Sequence, residues 1–233
     1  MTDVPYKTAL IIGAGPGISA SLARALVAAD LQVGLVSRRL AKVEELAGDI
    51  GAAAFSADAS DPADVARLFD EVDKRIGEPD VVIFNPSARA HGSVAEIDPE
   101  QVRDAITTSA FGGFLAVQQA ARRMIPKRHG AILLTGASAS TKGFALSSAF
   151  AMGKFALRGL AQSAARELGP KGIHVAHFII DGGVRSAVRP DPEERPDSTL
   201  SPDGVARAYL EVLRQPRDAW SFEVELRPWV ESF

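Results

Sequence analysis

Five residues, Gly13-Ala14-Gly15-Pro16-Gly17, are the first in the chain whose types and spacing could do chemistry. They follow an apolar run, residues 8–12, and lead at once into an apolar-periodic segment that begins near Ile18. Glycines let backbone N–H groups approach an anion, and a helix start adds partial positive charge. A second apolar run, Val33–Val36, ends on Ser37-Arg38-Arg39. Strand, glycine loop, helix, strand is the unit that seats a dinucleotide pyrophosphate. A glycine loop alone serves equally well as a tight turn. The helix directly behind it and the basic pair after the next strand favour a phosphate-bearing ligand. A carboxylate after that second strand would hydrogen-bond an adenosine ribose and repel a 2′-phosphate. Here the place holds Ser37, Arg38 and Arg39, and a guanidinium grips phosphate through two N–H groups. The expected cofactor is therefore NADP(H), with Arg38 its main contact.

Other residues could carry chemistry further along. Lys154 lies in an otherwise small and apolar segment beside Ala149, Ala151, Gly153 and Ala156. A buried lysine needs a polar partner, which ribose hydroxyls would supply. His91 is the one histidine placed after a strand on the expected ligand side, although its neighbours Arg89, Gly92 and Ser93 also suit an ordinary solvated loop. His174 and His177 lie inside an apolar strand and read as structural or surface-facing, while His129 stands at a helix end where a cation suits the dipole. The four histidines have no metal-ligand spacing, so no metal site is expected.

These residues need a frame, and the hydrophobic pattern supplies one. Helical segments are expected at about 40–50, 62–76, 99–128, 147–168 and 202–215. Strand-like runs fall at 53–56, 80–84, 131–135, 174–180 and 221–226. Ser60, with Pro62 in the first turn, and Ser201 are the expected helix caps. Strands alternating with helices imply a doubly wound α/β fold with a mostly parallel sheet covered on both faces. Ligands of such sheets lie at the carboxyl ends of the strands. Residues 1–233 read as a single domain, without linker, repeat or low-complexity segment.

The 233 residues are 46% hydrophobic, enough for one substantial core, and the formal net charge is −3. That charge gives no reason to expect nucleic acid or an anionic membrane as partner. There are no cysteines, hence no disulfide frame and no thiolate chemistry, which suits a cytoplasmic protein. No signal segment and no run long enough to span a bilayer is visible.

Over essentially its whole length the chain resembles the short-chain dehydrogenase/reductase superfamily. The resemblance rests on a series of weak motifs in the right order. Gly13-x-x-x-Gly17-Ile18 is similar to the family's cofactor loop, with Ser19 where a third glycine is usual. Asp58-Ala59 matches the pair beside the adenine ring. Phe84-Asn85-Pro86-Ser87 occupies the place of Asn-Asn-Ala-Gly. Lys154 sits in the helix position of Tyr-x-x-x-Lys, Asp181-Gly182 replaces Pro-Gly, and Ser186 stands at the family's threonine. The resemblance implies cofactor contacts at Gly13, Pro16, Gly17, Ile18, Asp58, Ala59, Asn85, Ser87, Lys154, Asp181, Gly182, Val184 and Ser186, besides the three residues after the second strand. It also implies hydride transfer, a small-molecule substrate and a homodimer or homotetramer paired through the two long helices.

The family's catalytic set is largely missing. Phe150 stands where the family has its proton-donating tyrosine, Ala137 where it has its serine, with Ser138 next door, and Ser109 where it has the asparagine that holds a relay water. A phenyl ring donates no proton, and a positioned acid contributes roughly 10²–10⁴-fold. Three readings follow. The acceptor is one that needs no strong acid, such as an iminium or a polarised C=C. Or another group serves as acid, with His91, Arg89, Ser138 and Asp181 as candidates. Or the protein binds NADP(H) without turnover, as a sensor or partner subunit. The charged loop 187–201 lies where the family carries its substrate lid, and reads equally as a disordered surface loop.

Overall fold

The computed structural model describes residues 4–186 and 188–231. Seven strands form one sheet: β1 (Thr8–Ile12), β2 (Gln32–Ser37), β3 (Ala53–Ser56), β4 (Val81–Phe84), β5 (Ala131–Thr135), β6 (His174–Ile180) and β7 (Glu223–Leu226). Their spatial order is β3-β2-β1-β4-β5-β6-β7, and every pairing is parallel. Parallel strands covered on both faces show near-continuous apolar runs rather than alternation. Accordingly β1, β4, β5 and β6 are buried at every residue.

Seven helices cover the sheet: α1 (Ile18–Val27), α2 (Ala41–Ile50), α3 (Pro62–Arg75), α4 (Pro99–Ile106), α5 (Gly112–Lys127), α6 (Ser148–Leu168) and α7 (Pro202–Leu213). Leu22 and Leu26 of α1, Val43 of α2 and Tyr209 of α7 fill the core on one face. Leu68 and Phe69 of α3, Leu115 of α5 and Leu157 of α6 fill it on the other. The chain order reverses direction across the sheet between β1 and β4, which opens a crevice at their carboxyl ends.

Two local expectations change. The cap of α3 is Asp61, whose side chain accepts from the Asp64 N–H, and not Ser60. Ser60 is drawn away because its hydroxyl and N–H both donate to Asp58 Oδ1, at 2.5 and 2.9 Å. The expected single helix over 99–128 is interrupted by a π-helical turn at Thr107–Phe111. That turn lies where α5 and α6 press together. A Cβ on Gly113 would meet Leu157 Cδ1 at 2.5 Å, and one on Gly153 would meet Ser109 Cβ at 2.9 Å. One extra residue in the turn fits α5 to its neighbours, a device common near functional sites.

Candidate active site

The glycine loop bends because Gly13 and Gly17 adopt φ of 82° and 91°. Gly13 has no room for a side chain, since a Cβ would come within 2.6 Å of Pro86 N. Gly15 and Gly17 differ. A Cβ on either would meet no protein atom within 4 Å, so packing within the protein does not require glycine there. The first turn of α1 has no side-chain cap, leaving its N–H donors facing the loop. Ser19, in the place of the family's third glycine, is buried; its hydroxyl donates to Gly13 O at 3.3 Å and accepts from Asn85 Nδ2 at 2.7 Å. It thereby ties the loop to the end of β4.

Beside this loop lies a cleft of about 630 Å³. It is lined by Gly13, Pro16, Ser37, Arg38, Arg39, Asp58, Ala59, Asn85 and Ser87, all expected from sequence, and by Lys42 and Thr108, which were not. Lys42 lies four residues beyond Arg38, at the start of α2, and adds a third cation. The Asp58 carboxyl is held below the usual carboxylate range, first by the Ser60 hydroxyl, then by the Ser60 N–H, with a smaller contribution from Arg38. It stays an anion already engaged with its own loop.

At the other end of the crevice Lys154 is 2% exposed. Its Nζ donates to Thr135 O at 2.8 Å and to Pro86 O at 3.3 Å. An ammonium has three N–H donors, so one remains. Burial pushes its pKa down to about 8, and the positive charge of Arg89 adds to that shift. The Phe150 ring centre lies 5.9 Å from Lys154 Nζ and 4.3 Å from the Arg89 guanidinium carbon, so the two cations share one ring. Ser109 is buried against Gly153, immediately before Lys154, and its hydroxyl has no partner among the described residues. Ser138 opens a short 3₁₀ turn, Ser138–Ser140, and is half-buried; Ser140 Oγ accepts from the Ala137 N–H at 3.2 Å.

Other expected residues do not line that cleft. His91 is exposed, and among the described residues its ring has no hydrogen-bond partner. Asp181 is buried and committed to Arg227 at 3.1 Å and Lys142 at 3.8 Å. Gly182 has φ 148° and abuts Pro228. Val184 bridges to Leu200, and Ser186 pairs with Arg189 through two backbone hydrogen bonds. The loop 187–201, whose residue 187 lies outside the described residues, is fastened by Asp191. This carboxylate accepts from Asp197 N and Thr199 N at 3.0 Å each and pairs with Arg185. The loop is thus internally organised, contrary to the disordered reading. His174 and His177 are structural. His174 donates from Nε2 to Ser221 O at 2.8 Å and stacks on Trp220. His177 Nδ1 lies 3.1 Å from Glu223, which Arg158 grips at 2.7 Å through two nitrogens. Among the described residues no three His, Asp or Glu side chains gather as a metal would require, and no helix is long and apolar enough to cross a membrane.

Comparison with known proteins places this geometry. A family model described as short chain dehydrogenase matches residues 7–195. A 3-oxoacyl-acyl-carrier-protein reductase of Homo sapiens is 25% identical over 219 residues, covering 90% of this chain and 92% of that protein. The crystal structure of a short-chain dehydrogenase from Rhodopseudomonas palustris is 33% identical, with a TM-score of 0.82, covering 96% of this chain and 99% of its own. An alcohol dehydrogenase from Thermococcus sibiricus, complexed with 5-hydroxy-NADP, shares the fold at 24% identity and a TM-score of 0.86, covering 97% and 98% of the two chains.

Proposed function

The chain belongs to the short-chain dehydrogenase family, and on that footing we propose that it is an NADP(H)-dependent oxidoreductase acting on a small organic substrate. The observation that carries the cofactor reading is the trio Arg38, Arg39 and Lys42 in a cleft whose β2 end has no carboxylate. The cleft fits the group. The uncapped start of α1 and the open faces of Gly15 and Gly17 suit a pyrophosphate, and the three cations suit a 2′-phosphate. Asp58 and Ala59 would flank the adenine, and Asn85 and Ser87 the ribose of the nicotinamide half, beside Lys154. Asp181, Gly182, Val184 and Ser186 would border the nicotinamide itself.

When bound, NADPH supplies a hydride to an electrophilic carbon, a carbonyl, an imine or an activated C=C. The chain has to supply the proton. Phe150 has none to give, and Lys154 is the group best suited. It is charged at neutral pH, its pKa of about 8 lies near the working range, and one N–H is uncommitted. Substrate oxygen or nitrogen gains the proton as Lys154 becomes neutral, and solvent restores it. Phe111, Phe114, Met152 and Phe155 are exposed apolar residues around α5 and α6 and support pairing of copies as a homodimer or homotetramer.

The test follows nicotinamide absorbance at high enzyme concentration with ketones, enones and cyclic imines, NADPH against NADH. Turnover with NADPH preferred supports the reading. A second reading, an NADP(H)-binding sensor or partner subunit, draws on the paired replacements Phe150 and Ala137. Tight NADPH binding with silence across the panel would favour it.

A further inference from the structure

Among the described residues, Arg89 is the one arginine that lacks a carboxylate partner and is seated on an aromatic ring. Arg67, Arg75, Arg123, Arg158, Arg185 and Arg214 each pair with a carboxylate. Arg89 is exposed, and among the described residues it has neither an ion pair nor a hydrogen bond. Its contact is the ring of Phe150, 4.3 Å below the guanidinium carbon. The same ring has the Lys154 ammonium 5.9 Å from its centre. Two cations therefore converge on one ring, that of Phe150. The carboxylate at the end of β6, Asp181, is already taken by Arg227 and Lys142. The protein has brought like charges together and left them without a counter-anion. Burial first, and the like charge of Arg89 second, lower the affinity of Lys154 for its proton. A guanidinium seated on an aromatic face is held in place while keeping N–H donors for a planar, two-oxygen anion.

We propose that Arg89 is the substrate's carboxylate clamp, and that the substrate is a small organic acid carrying the reducible carbonyl. The proposal rests on the oxidoreductase reading above for the reaction, but not for the binding. Phe150 then has a role that a proton donor could not fill as well. It is a platform that presents the guanidinium to the carboxylate while Lys154 faces the carbonyl oxygen. Lysine at position 89 would carry the charge without the fork.

The experiment uses the full chain saturated with NADPH. Matched pairs of short oxo acids and their methyl esters are compared by kcat/KM in the natural protein, Arg89→Lys and Arg89→Gln. In parallel, a saturated carboxylic acid of the same length, which cannot be reduced, is titrated by calorimetry. The expected result is an acid-over-ester preference of about 10–100-fold, from one bidentate charged contact. It should collapse in Arg89→Gln and survive in part in Arg89→Lys. Binding of the saturated acid should weaken at least about tenfold in Arg89→Gln, with NADPH affinity and circular dichroism unchanged. Esters reduced as well as acids, or equal binding of the saturated acid to natural protein and Arg89→Gln, overturns the clamp while leaving the oxidoreductase standing. Arg89-dependent binding of the acid without turnover of any pair supports the clamp and sinks the oxidoreductase reading instead.

Discussion

Ser109 and Gly153 are in direct contact: a Cβ on Gly153 would lie 2.9 Å from Cβ of Ser109 and 3.3 Å from its hydroxyl. The contact joins the π-helical turn to the residue before Lys154. Gly153→Ala should therefore push α6 off the turn. Overpacking of this kind costs about 1–3 kcal/mol. Gly159→Ala, on the same helix with nothing within 4 Å of the new methyl, should be neutral or stabilising by up to about 1 kcal/mol. Urea midpoints of the two variants check the contrast. Equal midpoints would show that the turn gives way easily.

Much of the frame was legible because buried parallel strands announce themselves as unbroken apolar runs. Residues 8–12, 131–135 and 174–180 begin and end where the hydrophobic pattern does. The π-helical turn was not legible. Thr107–Phe111 holds no proline or glycine to mark a break, and the extra residue answers the close approach of α6. Arg38 and Arg39 could be read from their place after β2. Lys42 was readable in principle, one helical turn further on. Thr108, a cleft residue, lies within that turn. Arg89 on Phe150 joins two segments far apart in the chain, and no local pattern could pair them.

Arg38→Glu should discriminate between cofactors. Losing a charged hydrogen bond and gaining a repulsive carboxylate should weaken NADPH binding by about 10–100-fold. NADH, without the 2′-phosphate, should bind as before or better. Fluorescence titration with both nucleotides reads this, and parallel losses would mean that Arg38 faces something else.

The pH dependence follows from Lys154, whose pKa is lowered to about 8 by burial first and Arg89 second. A proton donor works only while charged, so kcat/KM should be flat on the acid side and fall as pH rises through about 8. Arg89→Gln removes a like charge and should move that limb upward. Stability has the opposite slope. The unfolded chain holds this proton up to 10.5, the folded protein only to about 8, so the ligand-free protein should gain stability as pH rises between those values. Denaturant midpoints across that range provide the check.

Phe150→Tyr restores a hydroxyl beside Lys154. If the remaining site is competent, reduction of uncharged ketones should rise, by about 10²-fold at the low end of what a positioned acid contributes. Unchanged rates with NADPH binding preserved would count against a site that lacks only its acid.

Asp191 fastens the loop after β6 through Thr199, Asp197 and Arg185. Asp191→Ala should speed cleavage by a glutamate-specific protease after Glu193 or Glu194 several-fold without moving the global unfolding midpoint. Mass spectrometry of the fragments identifies the cut.

The carbonyls that hold Lys154 belong to two different strands' ends, Pro86 beyond β4 and Thr135 closing β5. The lysine is thus a strut across the mouth of the sheet, anchored on both banks before any ligand arrives. Removing it would let the two banks splay, and amide exchange at residues 84–86 and 134–136 would quicken in the empty protein. One buried side chain thereby sets the gauge between the ends of two neighbouring strands.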